Sequence, residues 1–146
     1  MIDVGDKPVS KRRAVAVAHV TIGDEVRDRI VAGSLPKGDV LAVARVAGIQ
    51  AAKLTPNLIP LCHQLTVGSI YVNFNIGDDY VEIEAQVETV DRTGVEMEAM
   101  TACAVAALTI YDMCKSTDRS MTVGELALWE KTGGRSGVWR RAKDGV

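Results

Sequence analysis

The sequence predicts an α+β fold in which helices lie on one face of an antiparallel sheet. Three observations carry this. Ser69–Ile76 alternates, with Ile70, Val72, Phe74 and Ile76 in phase, and Tyr80–Val90 alternates again through Val81, Ile83, Ala85 and Val87. Gly77-Asp78-Asp79 between them is a turn signal, so the pair reads as a β-hairpin with one wet face. Directly after the hairpin comes a long helical stretch, Thr93–Lys115. Helices interspersed with an antiparallel hairpin suit a layer of helices on a sheet.

The other elements follow in order. Residues 1–12 are polar and charged and read as a loosely held arm. Ala14–Ile22 is rich in Val and Ala with some alternation, as a strand would be. Asp24–Ala32 has helical spacing through Val26, Ile30 and Val31, and Gly33 suits its C-cap. Val40–Lys53 reads as a second helix with Asp39 as N-cap. The Thr55–Pro60 segment breaks that helix, and Leu61-Cys62-His63 follows in an irregular stretch. After the long helix, Met121–Lys131 is a weak strand, Thr132–Gly137 a flexible glycine loop, and a basic tail closes the chain at 146. At 146 residues the chain suits a single domain with a real core.

Composition excludes several classes. A net charge of −2 is wrong for a general nucleic-acid binder. The N-terminal MIDVGDKPVSKRR has no apolar core of a signal peptide, and the apolar part of the long helix is shorter than the roughly 20 residues of a membrane span. A cytoplasmic location is therefore expected. Three cysteines without a CxxC pair fit a reducing compartment, and Cys103 and Cys114 read as small core residues. No metal-ligand spacing such as HxH or HExxH is present, nor a GxGxxG or Walker loop for a nucleotide cofactor.

The long helix is the most informative segment. Thr93 and Glu96 have capping-box spacing, which marks its start. Between Ala99 and Tyr111 only Thr101 and Thr109 are polar, so the helix must be covered all round. Chemistry gathers at its ends: Glu96 and Glu98 at one, Asp112 and Lys115 at the other. At 1.5 Å per residue Glu98 and Asp112 lie roughly 21 Å apart along the axis, too far for one small-molecule site within one subunit.

Each chemical residue has a plainer reading beside the functional one. His63, fixed beside Pro60, is either a positioned donor or a hydrogen-bonded core histidine; His19, in a strand, has nothing near it in sequence to favour chemistry. Glu96 can simply cap the helix, and Glu98 can be a solvated surface acid. Asp112 and Lys115, at i and i+3, form either a surface ion pair or a proton-transfer pair. Lys37 and Gly38 precede a helix N-terminus, which favours an anion. Arg135 sits between glycines in a loop able to cradle phosphate, or merely to link. Together Arg12, Lys37, Lys53, Lys115, Lys131 and Arg135, with a few acids and one histidine, suit a polyanionic small molecule undergoing proton transfer.

The segments KGDVLAVARVAGIQAAK, LIPLCH, TGVEMEAMTA, VAALTIYDMCK and KTGGRSG closely resemble the MoaC family, the cyclic pyranopterin monophosphate synthases of molybdenum cofactor (molybdopterin) biosynthesis. The resemblance runs from Asp3 to Gly137. It implies a ferredoxin-like α+β fold and a homohexamer, a trimer of dimers with sites at dimer interfaces. It implies a lyase reaction without a redox cofactor. The substrate would be the cyclised GTP made by the MoaA radical enzyme, (8S)-3′,8-cyclo-7,8-dihydroguanosine 5′-triphosphate, rearranged to cyclic pyranopterin monophosphate with release of pyrophosphate. By position, the resemblance makes Asp112, Lys115 and Lys37 catalytic. It makes Leu61, Cys62, His63, Met97, Glu98, Glu96, Arg12 and Lys131 substrate-binding. Two departures stand out: Gln64 where proline usually follows the histidine, and Arg135 where lysine is common. The rival readings are a non-catalytic oligomeric nucleotide- or pterin-binding module and a nucleotide phosphohydrolase, which would want a metal site.

Overall fold

Small side chains on both surfaces let one helix lie close against the sheet, and this sets the architecture. The computed structural model describes residues 1–143. Strand β1 (Ser10–Thr21) turns Ala14, Ala16, Ala18 and Val20 inward, all buried. Strand β3 (Tyr80–Asp91) does the same with Val81, Ile83, Ala85 and Val87. Helix α4 (Glu96–Cys114) meets them with Ala99, Ala102, Cys103, Ala106 and Ala107. The Cys103 thiol donates to the Ala16 carbonyl at 3.2 Å. Burial raises that thiol's pKa to about 12, so both buried cysteines act as small core residues, as expected.

The remaining elements are α1 (Asp24–Ala32), α2 (Val40–Lys53), α3 (Thr55–Leu58), β2 (Val67–Ile76), β4 (Thr122–Thr132) and β5 (Trp139–Arg140). Every strand pairing is antiparallel and the sheet order is β2-β3-β1-β4-β5. The crossover from β1 to β2 carries α1, α2 and α3 past β3. The crossover from β3 to β4 carries α4 past β1. Two interleaved split β-α-β units of this kind make the fold ferredoxin-like α+β, as expected.

Helices α1 and α2 match the spacing argument from end to end. Gly33 ends α1 at φ 67°, and Asp39 caps α2 by accepting from Ala42 N at 3.1 Å. Helix α2 crosses α4 at Gly48, where an added Cβ would lie 3.0 Å from the Ala102 carbonyl and 3.3 Å from Ala106 Cβ. That crossing covers a second side of α4. A third side stays open, with Met97 37% and Leu108 58% exposed, so the single chain does not cover α4 all round. Helix α4 has the length and composition of a span, yet over half of its apolar window is buried in the protein, as in a core helix.

Several expectations need correction. Residues 10–12, placed in the arm, belong to β1, because they pair with Asp91, Val90 and Thr89. The Thr55–Pro60 break opens with one helical turn, since Pro56 sits in the first turn, where a missing N–H costs nothing. The capping box is not formed. Val95, fully buried, is the N-cap residue without a side-chain bond, and Glu96 is the first helical residue. Strand β4 was hard to read because two register shifts break its alternation, and Glu125 bulges there at φ 52°. The short β5 falls within the expected basic tail, whose residues 144–146 lie outside the described ones.

Candidate active site

The C-terminal end of α4 gathers two lysines on one carboxylate. Asp112 Oδ1 accepts from Lys115 Nζ at 2.9 Å, and Asp112 Oδ2 accepts from Lys37 Nζ at 2.9 Å. Lys37 Nζ also reaches the Asp112 carbonyl at 3.3 Å. Lys115 is there because it is one helical turn on. Lys37 arrives from the loop before α2, which runs alongside α4. Bonds from Lys115 first, then Lys37, hold the Asp112 carboxyl below its usual range. All three side chains are about half exposed. The anion that Lys37 meets here is thus Asp112, while the α2 N-terminus itself is taken by Asp39.

The N-terminal end of α4 is different in kind. Leu61, Cys62, His63, Glu96, Met97 and Glu98 line a cavity of about 190 Å³. Glu98 is 3% exposed, so it is no solvated surface acid. Burial first, and the Glu96 charge after a backbone bond that opposes it, raise the Glu98 pKa from 4.5 to about 7. Burial, then the Glu98 charge, push the Cys62 thiol up as well. His63 is not a core histidine either: its Nε2 donates to the Ile2 carbonyl at 2.6 Å.

The raised Glu98 pKa has a stability consequence with a definite sign. The folded state holds the proton up to about pH 7, whereas an unfolded chain releases it near 4.5. Stability from this group is present below 4.5 and is lost as pH rises through about 7. Glu98→Gln is expected to stabilise the protein at pH 8 by on the order of 1–3 kcal/mol, the scale of desolvating a buried polar group, and by much less at pH 5. Thermal unfolding of both proteins at the two pH values checks this; an equal difference at both would refute it.

Around the corner from Glu96 lies a larger, cationic cavity of about 500 Å³. Lys7, Ser10, Arg12, Lys131, Arg135 and Ser136 line it, and Thr93, Gly94 and Glu96 form the wall shared with the smaller cavity. The glycine loop is built onto β1. Gly133, at φ 91°, lies against the Lys11 carbonyl, where a side chain would clash, and Gly134, at φ 77°, lies against the Arg12 guanidinium, which a side chain would push aside. Lys131 Nζ donates to the Gly133 carbonyl at 3.1 Å and to Ser136 Oγ. Arg12 Nη2 donates to the Arg92 carbonyl at 3.2 Å, but its buried Nε has no partner. The loop is therefore a shaped wall, and Arg12 beside it keeps one donor to spare.

The structure thus brings nine of the expected residues, Arg135 among them, into two adjoining cavities and leaves Lys37, Asp112 and Lys115 together at the far end of α4. Lys53 joins neither group; it lines a shallow depression with Ile49 and Leu65. Lys7, Thr93 and Ser136 were missed, since only the folding of distant segments makes them neighbours. His19 is half-buried on the open face of the sheet between Glu82 and Glu125, away from both groups.

The model of the MoaC family matches residues 1–134. A cyclic pyranopterin monophosphate synthase of Thermomicrobium roseum is 57% identical over 146 residues, 99% of this chain and 88% of the relative. The one from Chloroflexus aurantiacus is 54% identical over 145 residues, 98% of this chain and 89% of its own length. That of Pelotomaculum thermopropionicum is 53% identical over 143 residues, covering 97% and 84%. With a family model spanning nearly all of the described fold and relatives above half identity along their length, this chain belongs to the MoaC family.

Proposed function

We propose that this chain is a cyclic pyranopterin monophosphate synthase acting in molybdenum cofactor biosynthesis. It converts (8S)-3′,8-cyclo-7,8-dihydroguanosine 5′-triphosphate, the cyclised GTP made by a radical enzyme, to cyclic pyranopterin monophosphate and pyrophosphate. The observation that carries this is the presence in one chain of a Lys37–Asp112–Lys115 cluster and a separate cationic cavity.

In this reading each group has one task. Lys37 and Lys115 give and take protons as the purine-derived ring opens and the pterin ring closes, and Asp112 holds both ammonium groups in place. Arg12, Lys131 and Arg135 offset the triphosphate charge. A substrate hydroxyl attacks the α-phosphorus, the bond to the oxygen bridging to the β-phosphate breaks, pyrophosphate leaves with that electron pair, and the hydroxyl proton ends on the released pyrophosphate. His63, Glu98 and Glu96, with Leu61, Cys62 and Met97, hold the ring system.

The site is completed by a second subunit. Glu98, His63 and Met97 come from one chain, and Asp112 with Lys115 from its neighbour, in a trimer of dimers. Two features support this: the roughly 21 Å between the helix ends, and the uncovered Met97 and Leu108 on α4. The domain is single over residues 1–146, and the enzyme works in the cytoplasm without a redox cofactor. Gln64 leaves the His63 ring in place, and Arg135 keeps the charge of the usual lysine.

The test is to supply the cyclised triphosphate and follow cyclic phosphate product and pyrophosphate, with and without chelator. Both products in equal amount, unaffected by chelator, are expected. Binding without turnover would favour a nucleotide- or pterin-binding module, and chelator-sensitive phosphate release a hydrolase.

A further inference from the structure

The N-terminal arm is tied down at the mouth of the cationic cavity, and one side chain does most of the tying. Arg92 lies in the bend between β3 and α4, beside the Thr93-Gly94 wall shared by the two cavities. Its Nη1 donates to the Gly5 carbonyl at 3.1 Å and to the Lys7 carbonyl at 2.9 Å. Its own carbonyl accepts from Arg12 Nη2, and its amide donates to Asp91 Oδ1 at 2.7 Å. Asp91 is engaged elsewhere too, since Oδ2 accepts from Thr66 N at 3.2 Å.

An ordinary surface arginine reaches for a carboxylate or for water. Arg92 forms no ion pair among the described residues and clasps two carbonyls more than eighty positions away in sequence. Both bonds come from Nη1, whose two N–H groups serve one carbonyl each. The stretch it holds precedes β1 and has no ladder partners of its own. Its other internal ties are the Asp3 turn to Gly5, the Lys7 amide bond to the Val4 carbonyl and the His63 bond to Ile2. The residue so placed is Lys7, which lines the cavity with Arg12, Lys131 and Arg135.

We propose that Arg92 is a positioning residue of the anion-binding cavity, holding the arm so that Lys7 completes the set of cations that receives the diphosphate portion of the substrate. The assignment rests on the triphosphate reading of the site. It differs from a simple extra charge, because Arg92 acts through Lys7 and not beside it.

Titration calorimetry with inorganic pyrophosphate, on the full-length protein and its variants, tests the assignment. Arg92→Gln and Lys7→Gln are each expected to weaken binding about tenfold, the scale of one charge-assisted contact. The double variant is expected to bind little worse than either single one, and Arg92→Lys to recover most of the loss. In turnover of the cyclised triphosphate, Arg92→Gln should raise KM by a similar factor while leaving kcat within about twofold. Additive losses, no loss, an effect on kcat alone, or no pyrophosphate binding by the unaltered protein would each overturn the assignment. Should the protein bind pyrophosphate but not turn over the triphosphate, the proposed reaction fails, and the binding pattern still decides the role of Arg92.

Discussion

Lys115→Ala is expected to slow turnover of the cyclised triphosphate by about 10²–10⁴-fold, the range for losing a positioned proton-transfer group. Lys37→Ala should cost a similar factor. Each lysine occupies its own oxygen of Asp112, so neither can take the place of the other. Asp112→Asn is the informative companion. It keeps the shape but removes the charge that both ammonium groups face, so an intermediate loss is expected. Single-turnover release of pyrophosphate measures all three. Near-normal rates in both lysine variants would remove proton transfer from this cluster. The fold should persist throughout, because these side chains are half exposed and solvent screens their pairing.

The second large effect is recovery of activity by mixing two dead proteins. His63→Ala damages the N-terminal end of α4 and Lys115→Ala the C-terminal end. If each site joins one end from each chain, a mixed dimer holds one doubly damaged site and one intact site. Random pairing makes half of the dimers mixed, so co-expression should restore about a quarter of normal activity. If the two ends belonged to separate sites within one chain, the mixture would stay as inactive as its parents. The uncovered stripe through Met97 and Leu108 makes contact between copies along α4 physically reasonable, since exposed apolar side chains on a core helix ask for cover.

Most of the fold was legible because its signals are local. Helix α2 has a cap in Asp39 and unbroken helix formers to Lys53, and the β2–β3 hairpin alternates strictly around a marked turn. What was lost depended on partners remote in sequence. Strand β4 is bent by bulges that exist only against β1. The Thr93–Glu96 spacing has the capping-box pattern, but the helix starts two residues later, with the buried Val95 at the cap.

The site shows the same division. Asp112 and Lys115 could be paired from their spacing, and the separation of Glu98 from Asp112 followed from helix rise alone. That Lys37 shares Asp112 with Lys115, seventy-five residues away, required the packing of α2 on α4. The burial of Glu98, which makes its carboxyl unusual, could not be read from a sequence in which glutamate is mostly exposed. Lys7 and Arg92 carry no motif at all; they matter through where the arm lands.

The crossing at Gly48 reaches further than packing. Helix α2 carries Lys37 ahead of its first turn, and α4 carries Asp112 in its last. At Gly48 an added Cβ would lie 3.0 Å from the Ala102 carbonyl, so a methyl group there would press the two helices apart by a few tenths of an ångström. The missing side chain therefore works as a spacer gauge: it sets how far apart two rods stand, and through them the width of a charged gap eleven residues along the chain. The meeting of Lys37 with Asp112 is thus metered by a residue that bears no functional group.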